Sequence, residues 1–261
     1  LQGTSVDGTA VDLDATTNAS GIATFSNVLI GSYTVSEVNT PAYYQVVNPV
    51  NVTVNINNKT SVSIQNKLKV GAVQVTKTSE DSVVSNLTFT LTGTSDAGTT
   101  VSMTAKTDAK GVATFSNVPI GSKYTVQEAN TPARYVVPAV QAGVTVKVND
   151  TTKLSFRNDL ARGNLRVTKT SEDGLVSGVK FHLEGTSTSG AKVSLDATTN
   201  EQGIAEFKDV LVGNSYVLTE VGTAARYVVP AAQNGITITV GKTTDAAVYN
   251  KLARGTVTVT K

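Results

Sequence analysis

The stretch V-Q-V-T-K (73–77) ends an alternating apolar run on a lysine. On a β-strand Val73, Val75 and Lys77 point to one face, so a strand that turns its valines to a core also carries a lysine inward. L-R-V-T-K (165–169) repeats the pattern with Leu165, Val167 and Lys169, and V-T-V-T-K (257–261) repeats it again, ending on Lys261. A lysine is costly to bury alone, so each copy calls for polar partners arranged to receive it.

Working outward, the same spacing governs the whole chain. The differences 169 − 77 and 261 − 169 are both 92, and the asparagines Asn66, Asn158 and Asn250 stand the same distance apart. L-x-G-T-S begins at Leu1, Leu91 and Leu183, and G-[IV]-A-[TE]-F begins at Gly21, Gly111 and Gly203. A period this long implies whole domains in series, each with its own core, more than a solenoid. Residues 1–68 are the rear of one unit without its first strands, 69–160 and 161–252 are complete units, and 253–261 is the first strand of another. The joints K-L-K-V-G (67–71), D-L-A-R-G (159–163) and K-L-A-R-G (251–255) are short enough to predict a semi-rigid rod.

Within the second unit, strands are expected at 72–78, 86–92, 101–105, 111–115, 123–128, 144–148 and 153–158, separated by turn residues such as Asp96, Gly98, Asp108, Gly121 and Asn149. No segment shows helical periodicity. Seven short alternating strands per unit predict an all-β chain, a tandem array of Greek-key β-sandwiches. Composition agrees: hydrophobic content is 39% with only 5% aromatic residues, which favours cores of small β-branched side chains. A net charge of +2 with mixed signs offers no electrostatic case for nucleic acid or a membrane surface. No apolar run approaches a membrane span and no signal peptide is seen, as expected of a mature fragment opening directly in strand sequence. With no cysteine, disulfides and thiolate metal sites are excluded.

Parity applied to the other strands brings in two more polar residues. Glu128 shares a face with Tyr124 and Val126, Glu220 with Tyr216 and Leu218, and Glu37 with Tyr33 and Val35. Asn158 shares a face with Leu154 and Phe156, Asn250 with Ala246 and Val248, and Asn66 with Val62 and Ile64. Each complete unit therefore places one Lys, one Glu and one Asn inward. Burial favours neutral forms, lowering the pKa of a lysine and raising that of a glutamate. A neutral amine is a nucleophile, and a protonated carboxyl can shuttle protons. An amine in reach of the Asn side-chain carbonyl could attack it, expel ammonia and leave an amide cross-link between first and last strands. The alternative is a buried Lys–Glu ion pair with the Asn completing its hydrogen bonds; parity alone leaves both open.

The opening x-V-x-V-T-K, the F-x-L second strand, the G-x-A-T-F … [IV]-G-x-x-Y-x-V-x-E block, the E-A-N-T-P-A-R-Y segment (128–135) and a last strand ending in Asn carry a family resemblance. Each unit resembles the Cna B-type, prealbumin-like (SpaA-type) domain of Gram-positive surface adhesins and sortase-assembled pilins. The resemblance covers essentially the whole chain. It implies an immunoglobulin-like/prealbumin-like sandwich used as a stalk or fibre module outside the cell, on a cell wall-anchored protein or pilus. It further implies a self-formed bond between Lys77 and Asn158 assisted by Glu128, and between Lys169 and Asn250 assisted by Glu220. Glu37 and Asn66 lack their lysine, and Lys261 lacks its asparagine. Departures fall in a loop: Ala224 stands where the family usually has proline, and Tyr43, Arg134 and Arg226 where it often has glycine.

His182 lies between inward Phe181 and Leu183 and so faces out; with a single histidine, neither a metal site nor a nucleophilic triad is expected. Asp7, Asp12 and Asp14 suggest calcium, but the next unit carries no acidic residue at the positions of the last two, so a repeated site is not expected. No cofactor is called for. The leading expectation is an inert, self-cross-linked stalk, not a turnover enzyme, whose partners are neighbouring repeats of the same or an adjoining chain. The competing one is an adhesive module contacting a host matrix protein or glycan directly.

Overall fold

The computed structural model describes residues 1–261 and contains strands but no helix. The second unit holds seven: β5 (Val70–Ser79), β6 (Thr88–Thr94), β7 (Thr100–Lys106), β8 (Val112–Pro119), β9 (Gly121–Ala129), β10 (Gln141–Val146) and β11 (Thr151–Asn158). The third repeats them as β12 (Arg162–Ser171), β13 (Lys180–Thr186), β14 (Lys192–Thr198), β15 (Ile204–Leu211), β16 (Gly213–Val221), β17 (Gln233–Ile238) and β18 (Thr243–Asn250). Each of these two complete units is a sandwich of a three-stranded and a four-stranded sheet. In the second unit their orders are β11-β5-β8 and β10-β9-β6-β7; in the third, β15-β12-β18 and β14-β13-β16-β17.

The period-2 alternation read from sequence is what closes these sandwiches. Val73 and Val75 from one sheet meet Phe89, Leu91, Tyr124 and Val126 from the other, with Phe115 and Phe156 completing the core. The third unit fills the same positions with Leu165, Val167, Phe181, Leu183, Tyr216, Leu218, Phe207 and Val248. The first and last strands pair parallel, which no hairpin can enforce: β5 runs beside β11 and β12 beside β18.

Glycine is required where each complete unit begins. A Cβ on Gly71 would lie 2.1 Å from the Lys147 carbonyl oxygen, and one on Gly163 would lie 2.2 Å from that of Thr239. Both obstacles are backbone of the turn before the last strand, so neither can swing aside. Gly71→Ala should therefore lower the stability of the second unit by about 1–3 kcal/mol, the range for overpacking, read as a shift in its urea midpoint.

The first 68 residues form one sheet only, in the order β2-β1-β3-β4, from β1 (Gln2–Ser5), β2 (Ala10–Asp12), β3 (Gly31–Val35) and β4 (Val50–Val54). G-I-A-T-F (21–25) and the run from Ser61 to Asn66, expected as strands, pair with nothing, and Val62, expected inward, is 42% exposed. The reason is topological. In a complete unit the counterparts of these segments bond to the first strand and not to each other, and no counterpart of β5 precedes Leu1 in this sequence. Residues 253–261 likewise enter no ladder, leaving Val257 and Val259 exposed.

Candidate functional site: a buried Lys–Glu–Asn cluster

Two strands of one sheet and one of the other deliver the cluster. The β5–β11 register sets Lys77 opposite Phe156 and Ser79 opposite Asn158, so Lys77 and Asn158 point into the sandwich from adjacent strands. Glu128 lies opposite Phe89 in the β9–β6 pair and reaches in from the facing sheet. The side chains of Lys77 and Glu128 are buried, as is Asn158.

The Glu128 carboxylate touches both nitrogens. Its Oε2 lies 3.6 Å from Lys77 Nζ, and its Oε1 accepts a hydrogen bond from Asn158 Nδ2 at 3.0 Å. Lys77 Nζ also donates to the Thr78 carbonyl oxygen at 2.7 Å. Burial pushes the Lys77 ammonium below its ordinary pKa, and the negative charge of Glu128 only partly opposes this. Glu128 Oε2 and Asn158 Oδ1 are buried without any hydrogen-bond partner. The same two atoms are unpartnered in the first unit, Glu37 Oε2 and Asn66 Oδ1, which has no lysine at the site.

The third unit reproduces the arrangement. Lys169 Nζ lies 3.9 Å from Glu220 Oε2 and donates to the Thr170 carbonyl oxygen, while Asn250 Nδ2 donates to Glu220 Oε1 at 2.7 Å. Burial again lowers the Lys169 pKa, and Glu220 Oε2 and Asn250 Oδ1 are again unpartnered. The first unit has half of the site: Asn66 Nδ2 donates to Glu37 Oε1 at 3.0 Å with no lysine beside them. Lys261 is exposed and meets neither.

This geometry suits amide exchange. An uncharged Lys77 amine attacking the Asn158 side-chain carbonyl carbon must lose a proton, and the departing nitrogen must gain one. Glu128 contacts the first nitrogen through one oxygen and the second through the other, so a single carboxyl can relay that proton. One C–N bond forms, one breaks, and ammonia leaves.

A second cluster at the strand ends escaped the sequence reading. Asp81 accepts from the Tyr135 hydroxyl (2.7 Å), Arg134 Nε (3.2 Å) and Ser79 Oγ (2.8 Å), and the Arg134 guanidinium lies 4.5 Å from the Tyr135 ring centroid. Asp173, Tyr227 and Arg226 repeat it. Arg134 and Arg226, which looked like mere loop departures, are thus struts between the loop after the first strand and the loop after the glutamate. S-E-D at 79–81 and 171–173 was the available signal.

His182 faces outward, as its parity predicts. Ser194 Oγ lies 3.5 Å from His182 Nε2, and His182 Nδ1 lies 2.7 Å from Asp196 Oδ1, so a serine–histidine–aspartate line does form across β13 and β14. Periodicity placed His182 outward but could not see the cross-strand neighbours. The line lies on an open sheet face, and Glu184 also approaches Nε2 at 3.7 Å, so the imidazole is shared among three polar side chains of a surface network.

Comparison with known proteins agrees with the fold. The SpaA family, described as a prealbumin-like fold domain, matches residues 2–68, 71–160 and 163–252. No curated protein matches the chain in sequence. Among solved structures, "The Bacillus anthracis TIE protein" is 29% identical with a TM-score of 0.61, over 91% of this chain and 45% of that one. This chain therefore spans less than half of the Bacillus anthracis structure. The minor pilin GBS52 of Streptococcus agalactiae is 15% identical with a TM-score of 0.35, over 73% of this chain and 100% of that one. The shaft pilin SpaA of Lactobacillus rhamnosus GG is 14% identical with a TM-score of 0.31, over 72% and 100%.

Proposed function

This chain belongs to the SpaA prealbumin-like domain family, and on that footing we propose that it is a stretch of stalk from an extracellular adhesin or pilus-like fibre of a Gram-positive bacterium. Its units run 1–68 (incomplete), 69–160 and 161–252, with 253–261 opening another. Each complete unit locks itself with a Lys–Asn isopeptide bond, Lys77 to Asn158 and Lys169 to Asn250. Glu128 and Glu220 relay the proton, and the reaction occurs once per unit without turnover. The carrying observation is the glutamate carboxyl that bridges the would-be nucleophile and the would-be leaving nitrogen in both units.

Intact mass under denaturing conditions tests this directly. Each bond releases one ammonia, so the chain should weigh about 34 Da less than its sequence mass. Glu128→Ala should restore about 17 Da and leave the third unit's bond in place. An unshifted wild-type mass would reduce the cluster to a buried ion pair.

A further inference from the structure

The parallel pairing of first and last strands raises a question of register. A slip of one residue turns every side chain to the opposite face. For β11 against β5, that would send Asn158 to solvent and leave Lys77 and Glu128 without it. Antiparallel hairpins take their register from the turn, but 78 residues of other chain separate Lys77 from Phe156, its partner in the ladder. The apolar pattern of Leu154 and Phe156 supplies part of the answer.

The rest lies just past the strand ends. The Glu80 backbone N–H donates to the Asn158 carbonyl oxygen at 2.9 Å, and the Glu80 side chain accepts the Leu160 N–H through Oε2 at 2.9 Å. Glu80 thus grips the main chain on both sides of Asp159, directly after the asparagine. A third group holds Glu80 itself. Arg162 Nη1 donates to Glu80 Oε2 at 3.0 Å and to the Leu160 carbonyl oxygen at 3.0 Å, and Arg162 Nη2 bonds Glu80 Oε1. Arg162 opens β12, the first strand of the following unit. The arrangement recurs one period later. The Glu172 N–H donates to the Asn250 carbonyl oxygen, Glu172 Oε2 accepts the Leu252 N–H at 2.9 Å, and Arg254 bonds both Glu172 oxygens and the Leu252 carbonyl oxygen. The bidentate guanidinium holds the Glu80 carboxyl down to about 2, and that of Glu172 likewise, so both pairs stay charged at neutral pH. The first joint differs, with Val70 in the position of Arg162 and Arg254.

From this geometry we infer that Glu80 with Arg162, and Glu172 with Arg254, are register clamps: at each of these two joints the following repeat lends an arginine to the repeat before it, holding that repeat's asparagine in place for its lysine. Glu80, Arg162 and their counterparts are positioning residues, since none touches the reacting atoms. The inference rests on the cross-link proposed above. Its consequence is directional: bond formation in one unit depends on the opening residues of the next, so closure of neighbouring domains is coupled along the array.

The two complete units of one chain serve as each other's control. The full chain, wild type and with Arg162→Ala, Arg162→Lys, Glu80→Gln or Arg254→Ala, is made by cell-free translation. Bond formation is followed over time by mass, and peptide mapping assigns each ammonia loss to its unit. Arg162→Ala and Glu80→Gln should slow the Lys77–Asn158 bond about tenfold or more, as misplacement of a reacting group does, and leave Lys169–Asn250 at the wild-type rate. Arg254→Ala should do the reverse, and Arg162→Lys should recover part of the loss. A bond-free Asn158→Ala background separates positioning from stability, because there Arg162→Ala should barely move the urea midpoint of the second unit. Equal rates in both units of the Arg162→Ala chain overturn the clamp. So does a slowing matched by an equal loss of stability in the bond-free background. A wild-type chain with no mass deficit overturns the cross-link and the clamp together, whereas a deficit insensitive to all four substitutions overturns the clamp alone.

Discussion

Pulled by its two ends, the wild-type chain should show no full-length unfolding step from either complete unit. The load path follows from strand direction. β5 and β11 run parallel, so tension enters the second unit at the start of one and leaves at the end of the other. A bond from Lys77 to Asn158 joins those strands near the exit, and the chain between them carries no load. Asn158→Ala should release that segment in one step. The 81 residues from Lys77 to Asn158, at roughly 3.3–3.6 Å each, give an extension of about 280 Å. Asn250→Ala should add a step of the same size from the third unit, and the double variant should show two. Two such steps in the wild-type chain would mean that load runs through the sandwiches and not past them.

Heat should tell the same two states apart. Closing an 81-residue separation removes unfolded-state entropy worth about 4.5 kcal/mol in the chain-entropy treatment of cross-links. For a domain of this size each kcal/mol moves the midpoint by about 4–8 °C, so Asn158→Ala should lower the melting transition of the second unit by about 20–35 °C. Asn158→Ala is the cleaner probe because Lys77 and Glu128 keep each other as partners, whereas Lys77→Ala also strands a buried carboxylate. Calorimetry of the full chain should show that transition move while the third unit's stays in place. A shift of only a few degrees would leave the bond without the stabilising role claimed for it.

Both effects arise from a domain that has no cysteine and a core of modest side chains. Small extracellular domains commonly gain their resistance from disulfides. Here a lysine and an asparagine buried among valines would do that work, and the product is a neutral amide in place of a buried ammonium. The unusual feature of the core is a fully buried lysine in every complete unit, and on the proposed function it is the anchor of the covalent tie.

Much of this was legible before any coordinate. The 92-residue spacing divided the chain. Strict alternation in V-Q-V-T-K (73–77) and L-R-V-T-K (165–169) identified strands, whereas the same alternation in V-T-V-T-K (257–261) meets no neighbour and enters no ladder. The inward placement of Lys77, Glu128 and Asn158 followed from the two-residue period of a strand, because side-chain direction there is a local property of the backbone. What parity cannot supply is which strands are neighbours. That Lys77 and Asn158 come from one sheet and Glu128 from the other, that the first and last strands are parallel, and that one carboxyl touches both nitrogens are consequences of long-range pairing. The same limit hid the Ser194–His182–Asp196 line and the grip of Glu80 on Leu160 and Arg162. It also made G-I-A-T-F (21–25) look like a strand in a unit with nothing for it to pair with. The residues of the site and their direction are written in local alternation; their meeting is decided by tertiary pairing, since β5 is completed by a neighbour about 80 residues away along the chain.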